Sequence, residues 1–194
     1  AVKLDYGAPV ITSISSSTVS TTGGIVTLTG YNFGPQWDYD SSDWAVKLRG
    51  TTLTVSAIGY NHTKMTLTVP AGEGTGGVFS LTVDGQTDTE SNFLGYSAPT
   101  ITSTSISSSG MPTRGQVVTI TGTNFGTYGV ARTRLSPTDY ECSYKSDGSG
   151  CLAYPAAATY DVTHTTLYVS VPKGQGRNTL AVNVSGQTVS TTID

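Results

Sequence analysis

The feature that most constrains this chain is an eleven-residue motif that occurs twice. GIVTLTGYNFG spans residues 24–34 and QVVTITGTNFG spans residues 116–126. In both copies apolar residues alternate with Thr, a period-two pattern typical of a strand with one buried face. Each copy ends in Gly-x-Asn-Phe-Gly, in which Asn and Gly supply the positive φ of a sharp turn. We predict that Phe33 and Phe125 fold back under these strands and fill the core.

The repeat divides the 194 residues into two units of similar length. Equivalent positions recur at a spacing of about 90 residues, enough for one sandwich core per unit. Strand-favouring Thr, Val and aromatic residues are frequent, helix-favouring residues are scarce, and no window has a helical period. The sequence therefore predicts an all-β protein. The predicted strands span residues 10–14, 25–29, 45–48, 52–58, 64–69, 78–83, 86–96, 100–106, 117–121, 159–162, 166–171, 180–184 and 187–193, with a long loop at 127–155.

Both copies place further motifs at matching positions around the repeated one. A Pro-x-Ile segment precedes it and a strand ending in Val-Pro follows it, at residues 9–11 and 69–70 in the first copy and at 99–101 and 171–172 in the second. This order resembles the IPT/TIG family of immunoglobulin-like domains. The resemblance implies two tandem Ig-like β-sandwich domains, at residues 9–97 and 98–194.

The charge pattern argues against two classes of partner. The net charge is −3, and no window concentrates Lys or Arg. Binding to nucleic acid or to an anionic membrane surface would require such a basic patch. No apolar run approaches the roughly 18 residues of a membrane span, and no signal-like segment opens the chain. We therefore expect neither nucleic-acid binding nor membrane insertion.

The sequence nominates no catalytic residue and no cofactor. His62 and His164 occupy equivalent places in the two copies, which favours a structural role in a turn. No nucleophile-elbow motif is present to supply a partner for either histidine. The glycines at 72–77 precede a predicted strand and not a helix, so they indicate a turn and not a phosphate-binding loop. We expect a protein that is not an enzyme.

The two cysteines, Cys142 and Cys151, flank a segment rich in Gly, Ser and Asp within the predicted long loop. A disulfide-closed loop is the favoured interpretation, and two free thiols are the alternative. Neither histidine lies at the spacing from these cysteines that a zinc finger requires, so no metal site is expected.

A second loop, at residues 35–43, is both aromatic and acidic. Trp37 and Tyr39 lie in it and Trp44 follows it. Aromatic residues crowded into one loop favour a contact surface, which we expect to bind a glycan or a protein. The acidic residues could offer oxygens to Ca²⁺, but the loop lacks the glycine and the distal glutamate of an EF-hand, so a solvated loop is preferred.

Two triplets match the N-glycosylation pattern, at Asn61 and at Asn183. Both are predicted attachment sites if the protein passes through a eukaryotic secretory route. Asn61 falls in a predicted turn and is the stronger candidate. Asn183 falls in a predicted strand and must face outward to be modified.

Residues 1–8 resemble the junction between the two copies. Leu4, Tyr6 and Pro9 match Leu94, Tyr96 and Pro99, whereas the second copy stops at the position of Phe93. We therefore interpret residues 1–8 as a strand that completes a neighbouring domain, with Val2, Leu4 and Tyr6 as its donor side chains. Without such a strand, the second copy would expose an open apolar groove and an unpaired strand edge, both of which are costly.

Two functional hypotheses follow. In the favoured one, the protein is an extracellular structural subunit that assembles head to tail into a filament by donating this strand to the next copy. In the alternative, the chain is an adhesion or ligand-binding segment of a larger cell-surface protein. It then joins adjacent repeats covalently and contacts a glycan or a protein through the loop at 37–44.

Overall fold

The computed structural model describes residues 6–34, 44–106, 110, 114, 116–126, 131–136, 140–143, 163–171 and 178–193. The chain divides into two compact units, the first comprising Ala1–Pro70 and Thr75–Gly95, the second Ala71–Gly74 and Tyr96–Asp194. All regular structure in the described ranges is β-strand, so the all-β prediction is confirmed. Within these ranges no helix has the length and apolar character to cross a membrane.

The first unit is built from two sheets, with strand orders β1-β3-β7-β6 and β2-β9-β8-β4-β5. Alternate residues of the central strands point into the core, because successive side chains in a strand face opposite sides. The fully buried side chains come from both sheets and include Val26, Leu28, Met65, Leu67, Phe79, Leu81 and Leu94. The strands are β1 (Val10–Ile14), β2 (Thr18–Val19), β3 (Gly24–Tyr31), β4 (Trp44–Leu48), β5 (Thr51–Thr52), β6 (Thr54–Asn61), β7 (Lys64–Val69), β8 (Gly77–Val83) and β9 (Gln86–Tyr96).

The second unit repeats this plan with sheets β10-β11-β14 and β13-β12-β15-β16. Its core is one cluster that joins residues of both sheets: Val118, Ile120, Phe125, Leu167, Val169, Leu180, Val182 and Val184. The strands are β10 (Thr100–Thr104), β11 (Gln116–Thr123), β12 (Ala131–Ser136), β13 (Tyr140–Ser143), β14 (Thr166–Val171), β15 (Asn178–Val184) and β16 (Gln187–Ile193).

Most predicted strands match the observed ones, but the long loop predicted at 127–155 is wrong. That segment contains β12 and β13, and Cys142 lies on β13. The backbone of β12 pairs with β15 on one side and with β13 on the other. The prediction failed because charged residues interrupt the apolar pattern of β12, whose strand conformation is set by cross-strand pairing. The predicted strand at 159–162 lies outside the described residues.

The repeated turn has the predicted conformation in both units. Phe33 and Phe125 are fully buried. Asn32 and Asn124 adopt the left-handed region, with φ of 61° and 59°. The preceding glycines make the burial possible. A Cβ on Gly30 would collide with the carbonyl oxygen of Val10 and lie 2.7 Å from Phe33 Cζ.

The second unit shows the same close approach at Gly122, where a Cβ would collide with the carbonyl oxygen of Thr100 and lie 2.6 Å from Phe125 Cζ. Only a residue without a Cβ lets the neighbouring strand and the phenyl ring come this close. The glycine of the repeated motif is therefore a packing requirement in each unit.

We predict that Gly30→Ala destabilises the first unit by about 3 kcal/mol, because both atoms that meet the new methyl group are held in the packed core. Gly85→Ala is the matched control. Gly85 has φ of 75° and nothing within 4 Å of the position of its Cβ, so only the left-handed penalty of about 1 kcal/mol applies. Urea unfolding measures both variants, and equal losses would contradict the packing role of Gly30.

Candidate functional site

Each unit holds the segment that leads into it with two side-chain amides. We call residues 6–9 and 96–99 the lead-in segments. In the first unit, Asn32 Nδ2 donates to the Ala8 carbonyl at 2.8 Å. Gln86 Nε2 donates to the Tyr6 carbonyl at 3.2 Å. Asn32 has a positive φ in the turn that follows β3, and Gln86 begins β9 directly after the turn at residues 84–85.

The second unit repeats the arrangement. Asn124 Nδ2 donates to the Ala98 carbonyl, and Gln187 Nε2 donates to the Tyr96 carbonyl, each at 3.1 Å. The sequence analysis did not identify these four amides. A signal was present, because Gly-Gln-Thr occurs at equivalent places, residues 85–87 and 186–188.

The strand register gathers several chemically distinctive residues at one end of the first unit, which we call the lead-in end. Val10 opposes Tyr31 where β1 begins and β3 ends. Trp44 opposes Val83, and Val83 opposes Gln86, which holds the lead-in segment. Gly34 and Trp44, the residues that flank positions 35–43 in the sequence, both lie at this end.

Aromatic and apolar side chains are exposed at the lead-in end. Tyr6 is 91% exposed, Tyr31 is 59% exposed and Val10 is 44% exposed. The second unit has a polar pair at the matching place, since Thr100 and Thr123 oppose each other and share an Oγ1–Oγ1 hydrogen bond of 2.8 Å. Among the described residues, this exposed apolar surface is found at the lead-in end of the first unit, and its chemistry suits contact and burial.

The two histidines support the turns. The His62 carbonyl accepts from Phe33 N, and the His164 carbonyl accepts from Phe125 N, both at 3.0 Å. Both residues lie in turns, as predicted, and these hydrogen bonds are made by their backbones. In the part of the chain that the structure describes, no group of three or more His, Cys, Asp or Glu residues is arranged to hold a metal ion.

The two glycosylation candidates differ in how their amides are used. Asn61 is exposed, and its Oδ1 accepts from the backbone amides of Thr63 and Lys64, both at 2.9 Å. In Asn183, the nitrogen that would carry a sugar donates to Thr188 Oγ1 at 2.7 Å. The exposure of Asn61 and the hydrogen bond made by the Asn183 nitrogen favour Asn61 as the attachment site, and glycosylation at both residues remains a prediction.

Several predicted site residues lie outside the described ranges. These are Val2, Leu4, Trp37, Tyr39 and Cys151, so the donor strand, the aromatic loop and the Cys142–Cys151 disulfide remain predictions. The backbone of Trp44 is described and begins β4.

We predict that Asn32→Gly weakens the first unit by about 1 kcal/mol, because it removes the hydrogen bond to Ala8 and keeps the left-handed backbone accessible. Asn32→Ala should cost about 1 kcal/mol more, since Ala pays the left-handed penalty as well. Urea unfolding gives the stabilities, and hydrogen exchange at residues 7–10 reports the released lead-in segment. Unchanged exchange there in both variants would contradict the amide's holding role.

Several solved structures are similar to this chain at low identity. PbSGBP-B, a surface glycan-binding protein from Prevotella bryantii, is 16% identical over 96% of this chain and 42% of its own, with a TM-score of 0.49. SGBP-B from a complex xyloglucan utilization locus in Bacteroides uniformis is 19% identical over 95% of this chain and 48% of its own, with a TM-score of 0.35. The Plexin A4 extracellular region is 17% identical over 94% of this chain and 17% of its own, with a TM-score of 0.42. The chain spans less than half the length of each, and at these values the likeness carries no inference about function.

Comparison with curated protein sequences gives no match. The family model of the IPT/TIG domain matches the chain twice, over residues 9–97 and 99–194. Both matched ranges include the Gly-x-Asn-Phe-Gly turn with its buried Phe, and both units have the two-sheet architecture of an immunoglobulin-like sandwich. The chain therefore belongs to the IPT/TIG domain family, of which it carries two tandem copies.

Proposed function

We propose that this chain is a non-enzymatic ligand-contact segment of an extracellular surface protein. The contact is made at the lead-in end of the first unit, through Trp37, Tyr39 and Trp44. The observation that carries the proposal is the strand register, which puts the two residues flanking the aromatic loop, Gly34 and Trp44, at the end of the first unit where Tyr31 and Tyr6 are exposed.

Both ends of the loop at 35–43 are fixed by the sandwich. On one side Phe33 is fully buried and its backbone amide is bonded to the His62 carbonyl. On the other side Trp44 pairs with Val83 in the second sheet. A loop carried between two rigid anchors is the common arrangement for recognition residues on Ig-like scaffolds.

The composition of the loop favours a neutral glycan as the ligand. Tyr and Trp rings present apolar faces that can stack on the C–H face of a sugar ring. Asp38, Asp40 and Asp43 can accept hydrogen bonds from sugar hydroxyls, and no Lys or Arg lies in the loop. The same acidic residues disfavour a polyanionic ligand through like-charge repulsion.

We predict that soluble neutral β-glucans or mannans change the intrinsic tryptophan emission saturably. The chain has two Trp residues, Trp37 in the loop and Trp44 directly after it, so this signal reports the proposed contact surface. Trp37→Ala should weaken binding about tenfold or more, as expected for a central aromatic anchor. Ile25→Ala is the control, because Ile25 is 72% exposed at the other end of β3.

Two outcomes would contradict the glycan proposal. One is an emission spectrum that no tested polysaccharide changes. The other is equal affinity in the Trp37 and Ile25 variants, which would place the ligand elsewhere. Binding of a protein and no glycan would keep the lead-in end as the contact surface and overturn the ligand class.

Self-assembly by strand donation is the second candidate function. Its donor side chains are Val2, Leu4 and Tyr6, and it is favoured by the exposed Tyr6 ring. The acceptor is the second unit of another copy, whose last described strand is β16.

For this second candidate we predict filaments in negative-stain images of the purified chain and dispersed particles after deletion of residues 1–4. The deletion keeps the Tyr6 and Ala8 carbonyls that Gln86 and Asn32 hold, so the first unit should stay folded. Dispersed particles from the full chain would contradict strand donation. Tryptophan emission would still test ligand contact independently.

A further inference from the structure

The first strand of the first unit has a backbone amide that its own sheet does not use. β1 is the edge strand of the sheet β1-β3-β7-β6. Ile11 opposes Gly30 on β3, and Gly30 N donates away from β1, to the Thr63 carbonyl at 2.9 Å. In such a pair of an antiparallel ladder, both N–H groups point away from the partner strand. The Ile11 N–H is therefore directed outward from the sheet edge, where it needs another acceptor.

The acceptor is a carboxylate that belongs to the other sheet. Ile11 N donates to Asp88 Oδ2 at 2.6 Å, although the two residues are 77 positions apart. Asp88 lies on β9, and its other oxygen, Oδ1, accepts from Thr89 N at 2.9 Å. With both oxygens engaged, the carboxylate is held in one orientation. Because a hydrogen bond from a backbone amide to a carboxylate is stronger than one between neutral groups, this contact ties β1 firmly to the second sheet.

The tie bridges the two halves of the lead-in end. Val10, directly before Ile11, opposes Tyr31 in the first sheet. Trp44 begins β4 in the second sheet, which also contains β9. The lead-in end thus draws residues from both sheets, and the hydrogen bond of Asp88 joins the two sheets at the residue next to Val10. The shape of this surface therefore depends on how the sheets are held here.

The second unit shows that the carboxylate is not a general requirement of the fold. At the position equivalent to Asp88 it has Val189. Val189 and Ile101 are partly buried and pack against the core cluster of that unit, Ile101 being the counterpart of Ile11. Apolar packing at this place is thus compatible with the sandwich. The carboxylate is an addition found in the unit that has the exposed aromatic lead-in end.

We propose that Asp88 is a positioning residue for the glycan contact at the lead-in end. Its hydrogen bond fixes β1 against the second sheet, so that the contact surface has its final shape before the ligand arrives. Binding is tighter when the surface does not have to become ordered first. This inference rests on the proposed function of the same surface, and it gives Asp88 no contact with the ligand.

Asp88→Val tests the proposal, because it introduces the residue of the second unit and removes the acceptor. Exchange of the Ile11 amide proton, followed by NMR, should become about tenfold faster or more. Titration of the tryptophan emission with neutral β-glucans or mannans should give an affinity about threefold weaker or more. Asp88→Asn keeps an acceptor oxygen, so both effects should be smaller. Circular dichroism checks the fold of both variants, and Asp88→Asn carries the comparison if Asp88→Val unfolds.

Thr89→Val is the matched control, since Thr89 is exposed and lies next to Asp88 on the same strand. It should keep the wild-type exchange rate and affinity. A wild-type exchange rate at Ile11 in both Asp88 variants would overturn the tie. Faster exchange with unchanged affinity would overturn the positioning role and leave the proposed function standing. A wild-type chain that binds no neutral glycan would overturn the proposed function and this role together, and the exchange rates would then show whether the tie itself exists.

Discussion

The close approach of backbone to backbone at Gly30 and Gly122 is the constraint on which both units depend. With no Cβ at these positions, β1 lies against β3 and β10 against β11, and the following Phe ring enters the core. Gly30 N also donates to the Thr63 carbonyl at 2.9 Å, so the same residue ties the turn between β6 and β7 to the motif. In the first unit this one glycine therefore fixes how β1, β3 and the turn before β7 pack together, and it leaves room for the fully buried Phe33 ring.

The turn that buries Phe33 also organises the surface above it. Asn32 must adopt a left-handed conformation for the chain to reverse, and this conformation presents its amide to the Ala8 carbonyl. The loop at 35–43 departs immediately afterwards. The lead-in segment is thus held by the turn that buries Phe33, and the proposed contact residues follow the same turn in the sequence.

The two units share this framework and differ in what they expose. The first unit presents Val10 and Tyr31 beside its lead-in segment, whereas the second has a hydrogen-bonded pair of threonines there. The second unit also buries its lead-in tyrosine under Ala71–Gly74. At the described positions the repeat preserved the framework, while the exposed side chains at this end differ between the two units.

The local sequence pattern was sufficient to predict most of the strands. Period-two alternation placed β1, β7, β9, β14 and β16 at their observed bounds, because the pattern of a half-buried strand is written in the strand itself. The same method missed β12, where charged residues break the alternation and cross-strand pairing with β15 imposes the strand.

The sequence by itself determined the all-β class, the tandem repeat and the burial of both motif phenylalanines, since each depends on residues within one short segment. Only the tertiary structure decided how the lead-in segments are held and which tyrosine is covered. The Gln86 amide and the Tyr6 carbonyl are 80 positions apart. Tyr6 and Tyr96 are the same residue type in the same local motif, and only the fold shows that Tyr96 is buried against the backbone of Gly72.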